Sequence, residues 1–364
     1  MTVTAAAAAL LLLFAPLNCT SFGRLPRGER LERIERSPQY RDGQFWNVSP
    51  SVNRIARRGF RLGGLFKFIF DRGEGVRPKK ALPAVKTDLA ALGRDENVMV
   101  WLGHSSVFLQ IDGRRFLIDP VLVQGSPVWF ANRPFKGTNI FKPADMPEID
   151  YLLITHDHWD HLDYWTVKKL RERTGKVICG LGVGEDFEFW RFAAEHIAEL
   201  DWNERIDLGD GFTLHCLPAR HSSGRGLNNR NKTLWASWML ETPSRNVYIS
   251  GDTGYDSHFA DIGKRFPKID LAIMENGQYN ENWVYSHLLP DHLVEAVRDL
   301  KPKTLFTVHN SKFTISNHRW QEPLENISAA AAEKGFRLVT PVIGEVVYLD
   351  DPSQVFEKWW EGKE

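Results

Sequence analysis

The feature that most constrains this chain is the six-residue run His-Asp-His-Trp-Asp-His at 156–161. Three imidazoles and a carboxylate so close together are costly to bury unless something pairs with them, and a metal ion does so directly. The run follows the apolar stretch 149–155, which we interpret as a buried strand, and strand ends are where loop residues converge on a ligand. We therefore predict a metal site here. Its candidate ligands are His156, His158, Asp160 and His161.

Three later residues, His221, Asp252 and His309, also lie at the ends of predicted strands. Taken alone, each is more typical of a hydrogen-bonded or surface residue than of a ligand. Zinc accepts imidazole nitrogen and carboxylate oxygen, but one zinc ion cannot use all of these side chains, so their number indicates two metals. The three cysteines lack CxxC spacing, which argues against a thiolate site.

Short β-rich runs alternate with helical stretches after residue 97. The Asp112-Gly113 pair between two runs is a strong hairpin signal. The predicted strands are 98–102, 107–111, 115–118, 151–154, 212–217, 233–240, 246–250, 271–274, 304–309 and 346–349, and the predicted helices are 164–174, 258–266, 289–300 and 323–334. Strands in both halves with helices between them favour an α/β fold of four layers, αββα, in which helices cover two packed sheets.

These motifs resemble the metallo-β-lactamase superfamily over about residues 98–349. Within it, the chain is similar to the branch that contains N-acylphosphatidylethanolamine-hydrolysing phospholipase D and its bacterial relatives. The residues that carry the resemblance are Trp101-Leu102-Gly103-His104-Ser105, the run Thr155 to Asp163, Leu234 to Trp238, Gly251-Asp252-Thr253-Gly254-Tyr255, and His287-Leu288-Leu289-Pro290.

The resemblance implies a ligand set. One metal is expected on His156, His158 and His221, and the second on Asp160, His161 and His309, with Asp252 bridging them. Asp119, which matches an acidic motif of the family, is expected to brace the metal loop from behind.

The resemblance also implies a mechanism. Two zinc ions hold a hydroxide between them and polarise the electrophile, so no nucleophilic side chain is needed. For a phosphodiester, the leaving oxygen requires a proton, and His287 is the predicted acid or electrostatic stabiliser, with a helix-capping role as its alternative. His104 and Tyr255 are weaker candidates with structural alternatives.

The first 85 residues differ from the rest. We predict a lipoprotein-like signal peptide at 1–18, a basic extension at 19–85, the hydrolase domain at 86–352 and a tail at 353–364. Residues 20–80 hold 15 Lys+Arg against 6 Asp+Glu, and the apolar stretch 60–70 suits either a membrane interface or packing on the domain. We expect a bacterial envelope location, contact with a membrane surface and no nucleic-acid partner; an oligomer remains open.

Three functions compete. The first is a phosphodiesterase acting on phospholipid-type substrates, and the second is a lactonase or carboxylic ester hydrolase using the same two metals. The third is a non-catalytic, metal-stabilised envelope protein. Aromatic residues in loops expected to face the site could wall a lipid pocket or fill the core. The basic loop 224–232 could meet a phosphate, although a solvated loop is the more common outcome. The aromatic candidates are Trp129, Phe130, Trp159, Trp165 and Trp283.

Overall fold

A computed structural model describes residues 19–51, 73–128, 130–226 and 228–363. The predicted signal peptide, the apolar stretch 60–70 and Trp129 lie outside these residues. In the part of the chain that is described, no helix combines the length and apolarity needed to cross a bilayer.

Sixteen strands form within the described residues, most of them in two seven-stranded sheets. The first sheet has the order β16-β3-β4-β5-β6-β7-β8 and the second the order β15-β14-β13-β12-β11-β10-β9. The strands are β1 (Tyr40–Arg41), β2 (Gln44–Phe45), β3 (Val98–Gly103), β4 (Ser106–Ile111), β5 (Arg114–Ile118), β6 (Ile149–Leu153), β7 (Thr174–Gly180), β8 (Ile197–Leu200), β9 (Arg205–Gly209), β10 (Phe212–Leu217), β11 (Ser237–Glu241), β12 (Asn246–Ile249), β13 (Leu271–Glu275), β14 (Thr304–Val308), β15 (Leu338–Val339) and β16 (Val346–Tyr348).

Both large sheets are mixed in the same way. The strands β5 to β8 are parallel, as are β12 to β15, and the remaining neighbours run antiparallel. Parallel strands require crossover connections, and helices supply several of them. The α-helices of the described residues are α1 (Glu29–Glu35), α2 (Tyr164–Leu170), α3 (Gly184–Phe189), α4 (His258–Arg265), α5 (Pro290–Leu300) and α6 (Glu322–Lys334).

Two apolar cores hold the layers together. The larger one joins the sheets and includes Phe108, Leu152 and Trp238, all essentially inaccessible to solvent. The smaller one packs the outer face of the second sheet, through residues such as Met274, against α4 and α5, for example at Phe259. The predicted four-layer α/β architecture is therefore confirmed.

The hairpin prediction is also confirmed. Asp112 and Gly113 join β4 to β5 with φ values of 47° and 82°. Positive φ at both central residues is what a type I′ turn requires, and this turn matches the twist of the two strands.

Two sequence-based boundaries were wrong. The helix predicted at 164–174 ends at Leu170, because a short 3₁₀ turn follows and Thr174 begins β7, which pairs with β6. The strand predicted at 233–240 starts only at Ser237. The residues before it cross to the first sheet, where the amides of Leu234 and Ala236 donate to the carbonyls of Leu181 and Thr155.

Both flanks of the predicted domain pack on it. Ile34 and Phe45, from the basic extension, belong to the larger core, and so do Trp359 and Trp360 from the tail. The structure therefore shows no free-standing segment in residues 19–51 or 353–363.

Candidate metal centre

The loop between β6 and α2 carries four of the predicted ligands. The amides of His161 and Leu162 both donate to the carbonyl of His158, at 3.0 and 2.8 Å. Asp163 ends the loop by capping α2, where it accepts the amide of Trp165 at 3.0 Å. This tight turn brings the ligand side chains into one cluster.

Three histidines form the first group of candidate ligand atoms. Nδ1 of His158 lies 2.9 Å from Nε2 of His156 and 3.1 Å from Nε2 of His221. His221 follows β10 in the second sheet. Two nitrogens on one tetrahedral zinc, with bonds of about 2.0–2.1 Å, are separated by about 3.3 Å. The three atoms therefore have the spacing of ligands to a single ion.

The second group combines imidazole and carboxylate. Nε2 of His309 lies 3.3 Å from Oδ2 of Asp160, and Nε2 of His161 lies 3.8 Å from the same oxygen. His309 follows β14, so this group also draws on both sheets. Imidazole nitrogen and carboxylate oxygen together suit zinc and several other divalent transition metals.

Asp252 lies between the two groups. Its Oδ1 is 3.2 Å from Nε2 of His161, whereas its Oδ2 is 3.2 Å from Nε2 of His309 and 3.8 Å from Nε2 of His221. The preceding Gly251 has φ 56°, and a Cβ there would lie 2.8 Å from Cβ of Thr155. Glycine is therefore required for the turn that presents Asp252.

Two buried atoms in the cluster are suited to bind a cation. Among the described residues, neither Nε2 of His161 nor Oδ1 of Asp252 has a hydrogen-bond partner. Buried polar atoms are rarely left unsatisfied, and these two lie side by side at 3.2 Å. A metal ion coordinated by both atoms removes that cost, so the residues present fit a two-metal centre.

The electrostatics of the cluster support the same conclusion. Burial, together with the neighbouring His161 and His158, lowers the pKa of His156 well below its usual value, and burial likewise lowers that of His221. Although burial opposes ionisation, His161 and the contacts from His104 lower the pKa of Asp160 well below its usual range. Neutral imidazoles at His156 and His221 beside an ionised Asp160 are the forms that bind metals. Burial opposes protonation of His161, but Asp252 and Asp160 raise its pKa well above the usual value, so His161 would lose a proton when a metal binds.

Asp119 braces the metal loop from behind. Its Oδ2 lies 2.8 Å from Nδ1 of His161 and accepts the hydroxyl of Thr155 at 2.6 Å, and its Oδ1 accepts the amide of Thr155 at 2.8 Å. These bonds leave Nε2 of His161 facing the cluster. Such an outer carboxylate sets the tautomer and orientation of a ligand histidine.

His104 contacts the second group twice. Its Nε2 lies 3.0 Å from Oδ2 of Asp160, and its carbonyl accepts the amide of His309 at 3.1 Å. His104, Asp119 and His309 have φ values of 54°, 42° and 66°, an uncommon backbone conformation for residues other than glycine. Strain of this kind concentrates at functional sites.

Glu275, which the sequence analysis missed, is fully buried beside the cluster. Its Oε2 lies 2.7 Å from Nδ1 of His287, and its Oε1 accepts the amides of Thr253 and Leu288 at 2.8 and 3.0 Å. His287 is thereby held 3.8 Å from Oδ2 of Asp252. The sequence signals for Glu275 were its position after the predicted strand 271–274 and its place in the stretch 274–279, which departs from the resemblance and was expected to line the substrate pocket.

The cluster opens into a cavity of about 260 Å³. The side chains that surround the candidate ligands are both polar and apolar. They are Ser222, Gln278, Trp283, Ser286, His287 and Ile315. The site therefore offers an apolar wall, through Trp283 and Ile315, beside the acid-base candidate His287.

Several weaker predictions are placed elsewhere. Tyr255 donates its hydroxyl to Asp299 of α5, away from the cluster. Arg225, in the loop that could meet a phosphate, is buried and donates to the carbonyls of Asp157 and Leu162. Its guanidinium therefore satisfies backbone acceptors beneath the metal loop, and phosphate contact by the rest of the loop stays a prediction. Trp159 packs against Arg225, whereas Trp283 does line the cavity.

The αββα layers, with a paired His and Asp cluster at one edge of both sheets, define a metal-dependent hydrolase. The chain belongs to the β-lactamase superfamily, because a family model described as "Beta-lactamase superfamily domain" matches residues 114–310. The relatives of this chain also support its relationship to the branch of metallo-β-lactamase proteins that contains N-acylphosphatidylethanolamine-hydrolysing phospholipase D.

Three comparisons illustrate the relationship. An uncharacterised protein of Mycobacterium tuberculosis is 35% identical over 332 residues, which are 90% of this chain and 88% of that protein. N-acyl-phosphatidylethanolamine-hydrolyzing phospholipase D 1 of Caenorhabditis elegans is 29% identical over 278 residues, 69% of this chain and 75% of that protein. The crystal structure of CmlA, a diiron β-hydroxylase from Streptomyces venezuelae, shares the fold with a TM-score of 0.55 at 20% identity, covering 70% of this chain and 54% of that one.

Proposed function

We propose that this protein is a phosphodiesterase that hydrolyses phospholipid-type substrates at a dinuclear zinc centre. The observation that carries the proposal is the convergence of two ligand groups on Asp252, with His287 beside them in the same cavity. His156, His158 and His221 would hold one ion, and Asp160, His161 and His309 the other, with Asp252 shared. Metal ions bound there supply an activated water and neutralise charge that develops on the phosphate oxygens.

His287 acts as the proton donor to the leaving oxygen. Because Glu275 occupies Nδ1, Nε2 is the ring nitrogen left for the substrate. With the shared proton on Oε2 of Glu275, Glu275 donates to Nδ1 of His287, and Nε2–H of the neutral imidazole is available for the leaving group. As Nε2 gives up its proton to the leaving oxygen, Nδ1 takes the proton of Glu275. General acids of this kind contribute about 10²–10⁴-fold to a rate.

The relatives support the substrate class. The Caenorhabditis elegans protein is an N-acyl-phosphatidylethanolamine-hydrolyzing phospholipase D by name, and so is a Saccharomyces cerevisiae protein that is 29% identical over 271 residues. Trp283 and Ile315 in the cavity wall suit the apolar part of such a lipid. The envelope location and membrane contact predicted from the first 85 residues are part of this proposal.

Zinc is the proposed metal because five of the seven candidate ligands are histidines, which zinc accepts readily. Iron is the competing metal, because the CmlA relative is a diiron protein. Metal analysis of the protein as purified, followed by reconstitution of the metal-free protein with Zn²⁺ or Fe²⁺, separates the two.

The test is hydrolysis by purified protein of known metal content. N-acyl phosphatidylethanolamine and bis-nitrophenyl phosphate are compared with a lactone and nitrophenyl acetate, and Asp160→Ala and His158→Ala proteins are the controls. Metal-dependent release of phosphatidic acid is the expected result. Turnover of only the carboxyl substrates indicates a lactonase or esterase, and no turnover by the dimetal protein indicates the non-catalytic alternative.

A further inference from the structure

Asn47, in the basic extension, contacts the backbone of the candidate ligand His221. Its Nδ2 donates to the carbonyl of His221 at 2.8 Å, and its Oδ1 accepts the amide of His221 at 3.0 Å. One side-chain amide thus satisfies both backbone groups of a residue 174 positions away. The pairing has the pattern of a β-bridge, with a side chain in place of the second strand.

His221 is held from its other side as well. Its Nδ1 lies 2.8 Å from the carbonyl of Ser286, which leaves Nε2 facing the cluster. The imidazole orientation is therefore set by Ser286, whereas the position of the backbone is set by Asn47. Both contacts act on the position of the ligand atom, and outer partners of this kind support metal affinity by orienting the ligand.

Asn47 is itself anchored. Its Oδ1 also accepts Nε1–H of Trp235 at 3.1 Å, and the nearby Phe45 is buried in the larger core and donates its amide to the carbonyl of Asn231. After Asn47, the carbonyl of Pro50 and the hydroxyl of Ser51 accept bonds from Arg220, the residue before His221. The segment 45–51 thus runs along 220–221 and is fixed at both ends.

We propose that Asn47 is a positioning residue for the three-histidine metal site, so that residues 45–51 complete the metal centre from outside the segment that the family model matches. The inference rests on the proposed two-metal centre. It assigns Asn47 no contact with substrate or with a reacting atom. Its effect passes through the position of His221 alone.

The test is metal binding rather than activity. Metal-free protein is titrated with Zn²⁺ against a chromophoric chelator. Wild-type protein is expected to bind two equivalents, and Asn47→Ala to bind one of them about 10–100-fold more weakly, the usual effect of removing an outer-sphere partner. Ser51→Ala is the matched control, because it removes a contact between the same segment and Arg220 but none to His221. This variant is expected to bind both zinc equivalents with wild-type affinity.

A double-mutant comparison shows whether the effect passes through His221. In a His221→Ala background, Asn47→Ala should cause no additional loss of zinc affinity, because the contact it removes no longer positions a ligand. The proposal is overturned if Asn47→Ala lowers zinc affinity equally in the wild-type and His221→Ala backgrounds. It is also overturned if the Asn47→Ala protein binds zinc with wild-type affinity. Circular dichroism of the metal-free proteins separates lost folding from lost binding.

If Asn47→Ala does not fold, Asn47→Asp carries the test. It keeps the acceptor for the His221 amide and for the indole N–H of Trp235 but loses the donor to the His221 carbonyl. Several-fold weaker binding of one equivalent is therefore expected, and unchanged binding overturns the proposal. Zinc binding with no phosphodiester turnover contradicts only the proposed function. A wild-type chain that binds no zinc contradicts both.

Discussion

Oε2 of Glu275 and Nδ1 of His287 lie 2.7 Å apart, at the wall of the metal cavity. Glu275 is fully buried, whereas the His287 side chain is 14% exposed, so the pair connects the protein interior with the cavity. Burial and the nearby Asp252 carboxylate raise the pKa of Glu275 well above its usual value, whereas burial lowers the pKa of His287. The proton that the two groups share therefore belongs mainly to Glu275, which holds it next to Nδ1 of His287.

The role of His287 is tested by its replacement. His287→Gln is expected to lower kcat for a phosphodiester by about 10²–10⁴-fold, because no group then protonates the leaving oxygen. Zinc content should stay at two equivalents, since His287 belongs to neither ligand group. A nitrophenolate leaving group needs little protonation and should show a much smaller loss. An equal loss for alkoxide and nitrophenolate leaving groups argues against acid catalysis.

The contact between Glu275 and His287 predicts that Glu275 orients the histidine and supplies the proton shared with its Nδ1. Glu275→Gln keeps the shape but replaces the carboxyl group with an amide that cannot pass on a proton, and we expect about 10–100-fold lower kcat with KM little changed. The His287→Gln and Glu275→Gln losses should not add in the double variant, because both remove the same proton donor. Additive losses in kcat would assign Glu275 a separate function, such as support of His309, whose Nδ1 lies 3.7 Å away.

Asp119→Asn tests the outer support of the second metal group. The amide can still accept from Thr155 but no longer offers a carboxylate to Nδ1 of His161, so the ligand loses basicity and orientation. We expect zinc affinity of one equivalent to fall about 10–100-fold. The conservative Thr155→Ser variant keeps the hydroxyl bond to Asp119 and should bind zinc normally, which makes it the matched control in the same titration.

Lys312 predicts a pH dependence of stability. Its Nζ is buried and donates to the carbonyls of Leu102 and Val121, and burial lowers its pKa from 10.5 to about 8. Between these two values the unfolded chain binds more protons than the folded chain, so the Lys312 contribution to stability rises with pH across this window and is at its least below pH 8.

Urea unfolding of wild-type and Lys312→Met proteins, both metal-free, measures that contribution. As the pH rises from 8 to 10, the free energy of unfolding of the wild type, relative to that of the variant, should increase by roughly 1–3 kcal/mol. The reason is that one pKa unit corresponds to about 1.4 kcal/mol. The absolute difference at one pH is not informative, because methionine also leaves two carbonyls without a donor. A difference that stays constant with pH would show that Lys312 titrates normally in the folded chain.

Local patterns in the sequence were sufficient for several features. The run at 156–161 and the Asp112-Gly113 turn each depend on neighbouring residues, because spacing and backbone conformation are local properties. The alternation of strands and helices likewise indicated the layers. The resemblance then assigned His221 and His309, which the structure brings next to the run although local spacing alone does not connect them.

Tertiary structure alone decided the remaining contacts. Glu275 and Asn47 have no local signature: one is a carboxylate at a strand end and the other a polar residue in a basic extension, and each acquires its role from a partner that folding brings near. The inward turn of Arg225 and the start of β7 at Thr174 were decided in the same way, by backbone acceptors and a strand partner elsewhere in the chain. The physical reason is that hydrogen bonds between distant segments leave no periodicity in the sequence, whereas turns, caps and closely spaced ligands do.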